Sequence, residues 1–160
     1  EYIPYVWGGF SFTSTKKISS FSLKNEKIVS PKTGFDCAGI IARSAQICNI
    51  PYFYKNTTTI KQFLSPITHI NNLMPGDIIW IPGHVMVIAD LKNNTLIEAR
   101  GYNHGYGKIH EIPLSEEFKG ISTYKELFNI YQNKKTITRL DHKGNEQEKI
   151  NNLLLLRLTK

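Results

Sequence analysis

The sequence predicts an α+β fold in which one early helix packs against an antiparallel sheet. Three observations carry this. Apolar residues recur at three- and four-residue spacing between Cys37 and Cys48. From Ile78 onward the pattern changes to short continuous or alternating apolar runs. Brief turns separate those runs, as antiparallel neighbours require. With 160 residues, 41% hydrophobic and 21% charged, the chain suits a single core, and residues 1–160 are read as one domain.

The chain opens with Tyr2-Ile3-Pro4-Tyr5-Val6-Trp7-Gly8-Gly9, an aromatic cluster closed by a glycine pair that lets backbone run close to a neighbour. Phe10 to Thr33 is rich in Ser, Thr and Lys and reads as a long surface loop or weak hairpin. Asp36 is placed as the N-cap of the helix that begins at Cys37. Cys37, Ile40, Ile41, Ala45 and Cys48 form its apolar stripe, and Asn49 followed by Ile50-Pro51 supplies a stop. Thr58 to Leu64 makes a short helical turn that Pro66 ends.

The strands follow. Leu73 to Asp77 turns into Ile78–Ile81, Pro82-Gly83 breaks that run, and His84–Ala89, Thr95–Arg100 and Lys108–Ile112 complete a meander, with a glycine-rich loop from Gly101 to Gly107. Thr123 with Glu126 forms a capping box ahead of Leu127, Phe128, Ile130 and Tyr131, which predicts a short helix. Thr136–Leu140 and Leu153–Leu158 read as two closing strands joined by the polar stretch from Asp141 to Asn152.

Lys and Arg total 20 against 13 acidic residues, a formal net charge of +7. The surplus favours anionic polymers, but no run of five basic residues and no nucleic-acid signature occurs, so nucleic acid is not expected as a partner. The longest purely apolar runs, Ile78–Ile81 and Leu153–Leu156, fall far short of the roughly 20 residues of a membrane span. The chain starts at Glu1 without a basic-then-apolar leader and reads as a piece of a longer gene product.

The two cysteines differ. Eleven residues of helix separate them by about 16 Å, whereas a disulfide needs Cα atoms within about 7 Å. Their spacing is not that of zinc ligands either. Cys48, late on the stripe, reads as a small buried hydrophobe. Cys37 lies in the first helical turn, where free N–H groups and the dipole favour a thiolate; by position alone it serves equally as a structural residue or a nucleophile.

A nucleophilic Cys needs a base and a third group to hold that base. His69, His110 and His142 lie in polar surroundings and read as solvated, while His104 sits in the glycine loop, within reach of a ligand. His84 opens an apolar strand, and Glu98 stands between Ile97 and Ala99 in another. If Asp90–Asn94 is a five-residue loop, Ala89 faces Thr95, Val87 faces Ile97 and Met86 faces Glu98. His84 and Glu98 then become diagonal neighbours on one face, about 7–8 Å apart before their side chains reach. A two-residue Asn93-Asn94 turn would separate them, because a one-residue slip reverses every face. The competing use of Glu98 is a pairing with Arg100 or a Lys at the sheet margin.

Five blocks in order carry a resemblance: Tyr5-Val6-Trp7-Gly8-Gly9, Gly34-Phe35-Asp36-Cys37-Ala38-Gly39, Leu73-Met74-Pro75-Gly76-Asp77-Ile78-Ile79, His84-Val85 and Leu96-Ile97-Glu98-Ala99. From Tyr5 to about Pro113 the chain resembles the NlpC-type cell-wall cysteine peptidases. The resemblance implies a papain-like domain that cuts peptidoglycan stem peptides, typically after D-glutamate, with Cys37 as nucleophile, His84 as base and Glu98 orienting the imidazole. It implies that Tyr5 lines the site and that Asp36 helps receive the free amine of the stem peptide's L-alanine. Trp7, His104 and Arg100 are placed as further substrate contacts, Arg100 to meet a substrate carboxylate.

Three features depart from the family. Its third position is more often His, Asn or Gln, although a carboxylate there still fixes the imidazole's tautomer. Ser usually follows the nucleophile, where this chain has Ala38. The Phe10–Thr33 stretch is a long insertion able to lid the cleft, and residues 114–160 form an extension outside the match. The reading calls for no metal or cofactor, a monomer, stem peptides or muropeptides as partners, and a cell-envelope or secreted location. Two rivals stand beside it. One is an enzyme of the same fold on another substrate, such as an N-acetylmuramoyl-L-alanine amidase or a host-directed effector; the other is a non-catalytic wall-binding module.

Overall fold

The computed structural model describes residues 3–11, 34–52 and 56–158. Strand β1 (Phe10–Ser11) pairs with β2 (Gly34–Phe35) immediately before helix α1 (Cys37–Ile47). The remainder of the expected Phe10–Thr33 loop lies outside the described residues. Helix α2 (Thr57–Phe63) leads through the two-residue β3 (Ser65–Pro66) to β4 (Ile78–Ile81), β5 (His84–Asp90), β6 (Thr95–Arg100) and β7 (Lys108–Pro113). The chain then builds α3 (Leu114–Glu117), α4 (Tyr124–Gln132), β8 (Ile137–Leu140), β9 (Glu146–Ile150) and β10 (Leu154–Arg157). The architecture is mixed α+β around a central antiparallel sheet ordered β3-β10-β4-β5-β6-β7.

Both faces of that sheet are covered, which is why β4 is apolar at every position and buried throughout. Ile78 and Trp80 join Val85, Leu156 and the α1 residues Ala38, Ile41, Ala42 and Ala45 on one face. Ile79, Ile81, Met86, Ile88 and Leu96 join Leu114, Phe118, Leu127, Phe128, Ile137 and Ile150 on the other. The period of two thus divides the central strands between an α1 layer and a layer built by α3, α4, β8 and β9.

Helix α1 starts where Asp36 caps it, Oδ1 accepting the Gly39 N–H at 2.6 Å. It ends in a left-handed Asn49 with φ 55°. The Thr123–Glu126 capping box forms in full at α4. Two expectations fail. Cys48 is exposed rather than buried, because α1 stops at Ile47 and Cys48 is already the cap. Thr136–Leu140 and Leu153–Leu158 do form strands, β8 and β10, but the polar Asp141–Asn152 segment is more than a connection between them. The polar Glu146–Ile150 segment is itself a strand paired with β8, while β10 inserts beside β4 with Leu155 opposite Ile79.

The β5–β6 hairpin reaches the expected register by a different route. Val87 faces Ile97, but Asp90, not Ala89, faces Thr95, and the ladder shifts between Ile88 and Asp90. One bulged residue and a shorter turn together span what a longer turn alone would have spanned. His84 and Glu98 therefore share a face.

Candidate active site

His84 and Glu98 meet within the layer formed by α3, α4, β8 and β9. His84 Nε2 lies 3.1 Å from Glu98 Oε2, and both residues are buried. Glu98 has two further direct partners. His110, directly opposite it on β7, places Nε2 3.0 Å from Oε1, and Arg139 Nη2 from β8 donates to Oε2 at 3.2 Å. Arg100 Nη1 stands 4.0 Å from Oε1. A second buried carboxylate, Glu117 at the end of α3, accepts from Arg100 Nη1 at 3.1 Å and from Arg139 Nε. Two carboxylates, two guanidinium groups and two imidazoles thus form one interior network, as buried charges require.

Burial pushes Glu98 up, but the hydrogen bonds from His110 and His84 and the nearby Arg139 charge reverse this and hold its carboxyl well below the usual carboxylate range. An ionised carboxylate only accepts, so both imidazoles must present Nε2–H to it. That assigns His84 the tautomer with its lone pair on Nδ1. Burial and the Arg139 charge pull the His84 pKa down, and the hydrogen bond and charge of Glu98 oppose them, leaving a net decrease and a neutral ring near pH 7. Glu117 is raised to about 7 by burial and by the Glu98 charge, against Arg139 and Arg100.

Cys37 sits at the start of α1, partly buried against the α1 layer. Burial pushes its thiol up. The Val85 N–H, one residue along from His84, pulls it down; the Asp36 charge adds to the rise, and the Ala38 and Cys37 N–H groups oppose it. The net shift is upward, so the helix start does not deliver the thiolate that its dipole alone suggests. No hydrogen bond or ion pair joins Cys37 to His84 in the described structure. The sulfur lies against the strand carrying His84, whose ring extends the other way, toward Glu98 and the β8 residue Arg139.

The remaining predicted residues fall into two groups. Tyr5 is beside the sulfur: burial and the Cys37 and Asp36 charges raise its hydroxyl to about 12, and its ring lies against Gly101. Asp36 is near too, but its Oδ2 accepts the Gly8 N–H at 2.9 Å while Oδ1 caps α1, so it joins helix to N-terminal segment. Trp7, 87% exposed, projects into solvent, and His104 is exposed on the 101–107 loop. Arg100 is a correction. It is buried and donates to Glu117, Leu140 O and Gln147 Oε1, leaving its guanidinium committed to the interior rather than to a substrate carboxylate.

Sequence reasoning missed His110, Glu117 and Arg139. His110, read as solvated, had a signal: closing the 101–107 loop with Arg100 opposite Lys108 sets His110 opposite Glu98. Glu117 and Arg139 had none, because their partners lie on distant segments. Among the described residues no helix is long and apolar enough to cross a membrane, and no His, Cys, Asp and Glu cluster is arranged to hold a metal. No family model, curated protein or solved structure matches the chain.

Proposed function

We propose that the protein is a cysteine peptidase of the papain-like, NlpC type that hydrolyses peptidoglycan stem peptides at the γ-D-glutamyl bond. The observation that carries this reading is an imidazole tied through Nε2 to a buried carboxylate, one residue from the N–H that meets the Cys37 sulfur. A nucleophile, a base and an orienting acid are the parts that acyl transfer needs.

In this mechanism Cys37 and His84, which share no hydrogen bond at rest, are brought within reach when substrate binds, and His84 Nδ1 takes the thiol proton as Cys37 Sγ attacks the scissile carbonyl carbon. The Cys37 N–H, in the first turn of α1, meets the developing oxyanion. The tetrahedral intermediate collapses to a thioester, and the imidazolium returns its proton to the departing amine. Water, deprotonated by His84, then attacks the thioester and releases the acid and the free thiol. Glu98 stabilises the imidazolium in both halves without taking a proton, as the acid of a serine triad does.

The test is mass spectrometry of muropeptides before and after incubation. The reading expects products ending in D-glutamate with a free γ-carboxyl, together with peptides bearing a new amine, and no products from Cys37→Ala. A cut between the sugar and L-alanine would assign an amidase instead. Cleavage by Cys37→Ala at the wild-type rate would remove Cys37 from the chemistry.

A further inference from the structure

We infer that His110 and Arg139, two residues outside the nucleophile–base–acid trio, are positioning residues for His84, and that the C-terminal extension is therefore part of the catalytic apparatus. The inference rests on the peptidase reading but concerns groups that it does not use. Glu98 offers two oxygens, and the structure occupies both: Oε1 with His110 Nε2 at 3.0 Å, Oε2 with His84 Nε2 at 3.1 Å and Arg139 Nη2 at 3.2 Å.

Without His110 the Oε1 oxygen loses its only hydrogen-bond donor among the described residues, and the carboxylate is held at Oε2 alone, about a terminal torsion that is broad and soft. Once it turns, Nε2–H of His84 loses a fixed acceptor and nothing distinguishes the two neutral tautomers of the ring. Arg139 blocks the same rotation from the other side. It is itself fixed, since Nε donates to Glu117, which in turn accepts from Arg100.

Each layer thus holds the next. Glu117 and Arg100 secure Arg139, Arg139 and His110 secure Glu98, and Glu98 presents His84 with its lone pair on Nδ1. Arg139 lies on β8 and Glu117 ends α3, both in the stretch after Pro113, so the extension supplies half of the clamp. Its burial supports this use: Glu117 and Arg139 are carried into the interior, where an isolated pair costs more desolvation than it returns in stability.

The experiment uses the full chain in a Cys48→Ser background, so that Cys37 is its only thiol. His110→Leu removes the donor and His110→Gln keeps one. The double variant Arg139→Met/Glu117→Gln removes one positive and one negative charge together, so that it leaves no uncompensated ion if Arg139→Met alone fails to fold. Two readouts are taken: 15N shifts of the His84 ring, which report its tautomer, and kcat and KM on stem peptide.

The expected result is a single Nε2–H tautomer in wild type, and a mixture in His110→Leu and in the double variant. In both, kcat falls about tenfold or more with KM little changed, while His110→Gln recovers most of the loss. An unmixed tautomer and unchanged kcat in both donor-less variants would overturn the inference. Should the wild-type chain cleave no stem peptide, the tautomer alone decides: a mixed ring in His110→Leu upholds the positioning role while the peptidase reading falls, and an unmixed ring refutes it.

Discussion

Replacing Glu98 by Gln keeps the shape of the side chain and removes its charge, so it isolates what the carboxylate does. The carboxylate accepts from His84, His110 and Arg139. An amide offers one acceptor oxygen and one NH2. The arrangement that loses least leaves the oxygen with His84 and Arg139 and turns NH2 toward His110, whose ring then switches tautomer to accept. Geometry survives, but the buried cluster keeps Arg100 and Arg139 with Glu117 as its sole remaining buried carboxylate. Removing one partner of a buried ion pair costs about 3 kcal/mol or more, and at about 2–4 °C per kcal/mol for a chain of this size Tm should fall by roughly 6–12 °C. The rate should fall as well, since the imidazolium's hydrogen bond loses its anionic acceptor and meets a neutral amide oxygen, a loss of about 1.5 kcal/mol or roughly tenfold in kcat. The sign of the pH dependence follows. The Glu98 pKa is held below its unfolded value, so the stability it confers is present above the ordinary carboxylate range and is lost as pH falls through and below it. Wild type should therefore lose Tm steeply in acid and Glu98→Gln less so. A variant with wild-type kcat, wild-type Tm and the same acid limb would refute the ionised clamp.

Three further outcomes are expected. Gly39→Ala should destabilise by about 2 kcal/mol through overpacking, although helix propensity alone predicts a gain of about 1 kcal/mol: a Cβ there meets the backbone oxygen of Gly9 and Asp36 Oδ1, and a raised Tm would show that the N-terminal segment does not pack on α1. Glu117 has its pKa raised to about 7, so its stabilising share is complete below the unfolded carboxylate range and disappears as pH rises through about 7. Glu117→Gln should accordingly flatten the fall of Tm between about pH 5 and pH 8; an unchanged slope would place its proton elsewhere. Alkylation by iodoacetamide at pH 7 should reach Cys48 first, because it is exposed while Cys37 is partly buried with a raised pKa. A Cys37 that reacts faster than Cys48 there would mean that a thiolate–imidazolium pair already exists in the resting protein.

The parts of the fold that local chemistry determines were legible in the sequence. Asp36 and Thr123 cap the helices they precede, and β4 to β7 lie within a residue of where apolar runs and turn residues put them. The His84–Glu98 contact was legible as well, although the Ala89 bulge and the turn share the offset that the turn alone was expected to supply. What stayed hidden depends on contacts far apart in sequence. Glu146-Gln147-Glu148-Lys149 carries no apolar alternation because this hairpin strand is largely solvated, so nothing marks it as a strand. Leu153–Leu156 is apolar enough to pair with any strand, and only the packed sheet decides that it joins β4. Arg100 looked available because a sequence shows a guanidinium but not the carboxylates that receive it.

On the proposed peptidase reading, the network and the thiol together point to how the proton moves. A free thiol and a free imidazole titrate about two pH units apart, so forming their ion pair costs on the order of 3 kcal/mol even in water. Here burial raises the thiol and lowers the imidazole, which widens that gap, while Glu98 works against it. The resting state is therefore thiol plus neutral ring, and the two make no hydrogen bond. Charge separation becomes favourable only when the sulfur's electrons are passing to a carbonyl carbon and the negative charge is moving onto the oxygen that the α1 start receives. On that account the anionic Glu98 matters less for the resting protein's reactivity than for the imidazolium that exists during turnover. On the proposed peptidase reading, turnover should follow general-base catalysis with a quiet cysteine, and kcat should depend on Glu98 more strongly than the resting alkylation rate of Cys37 does.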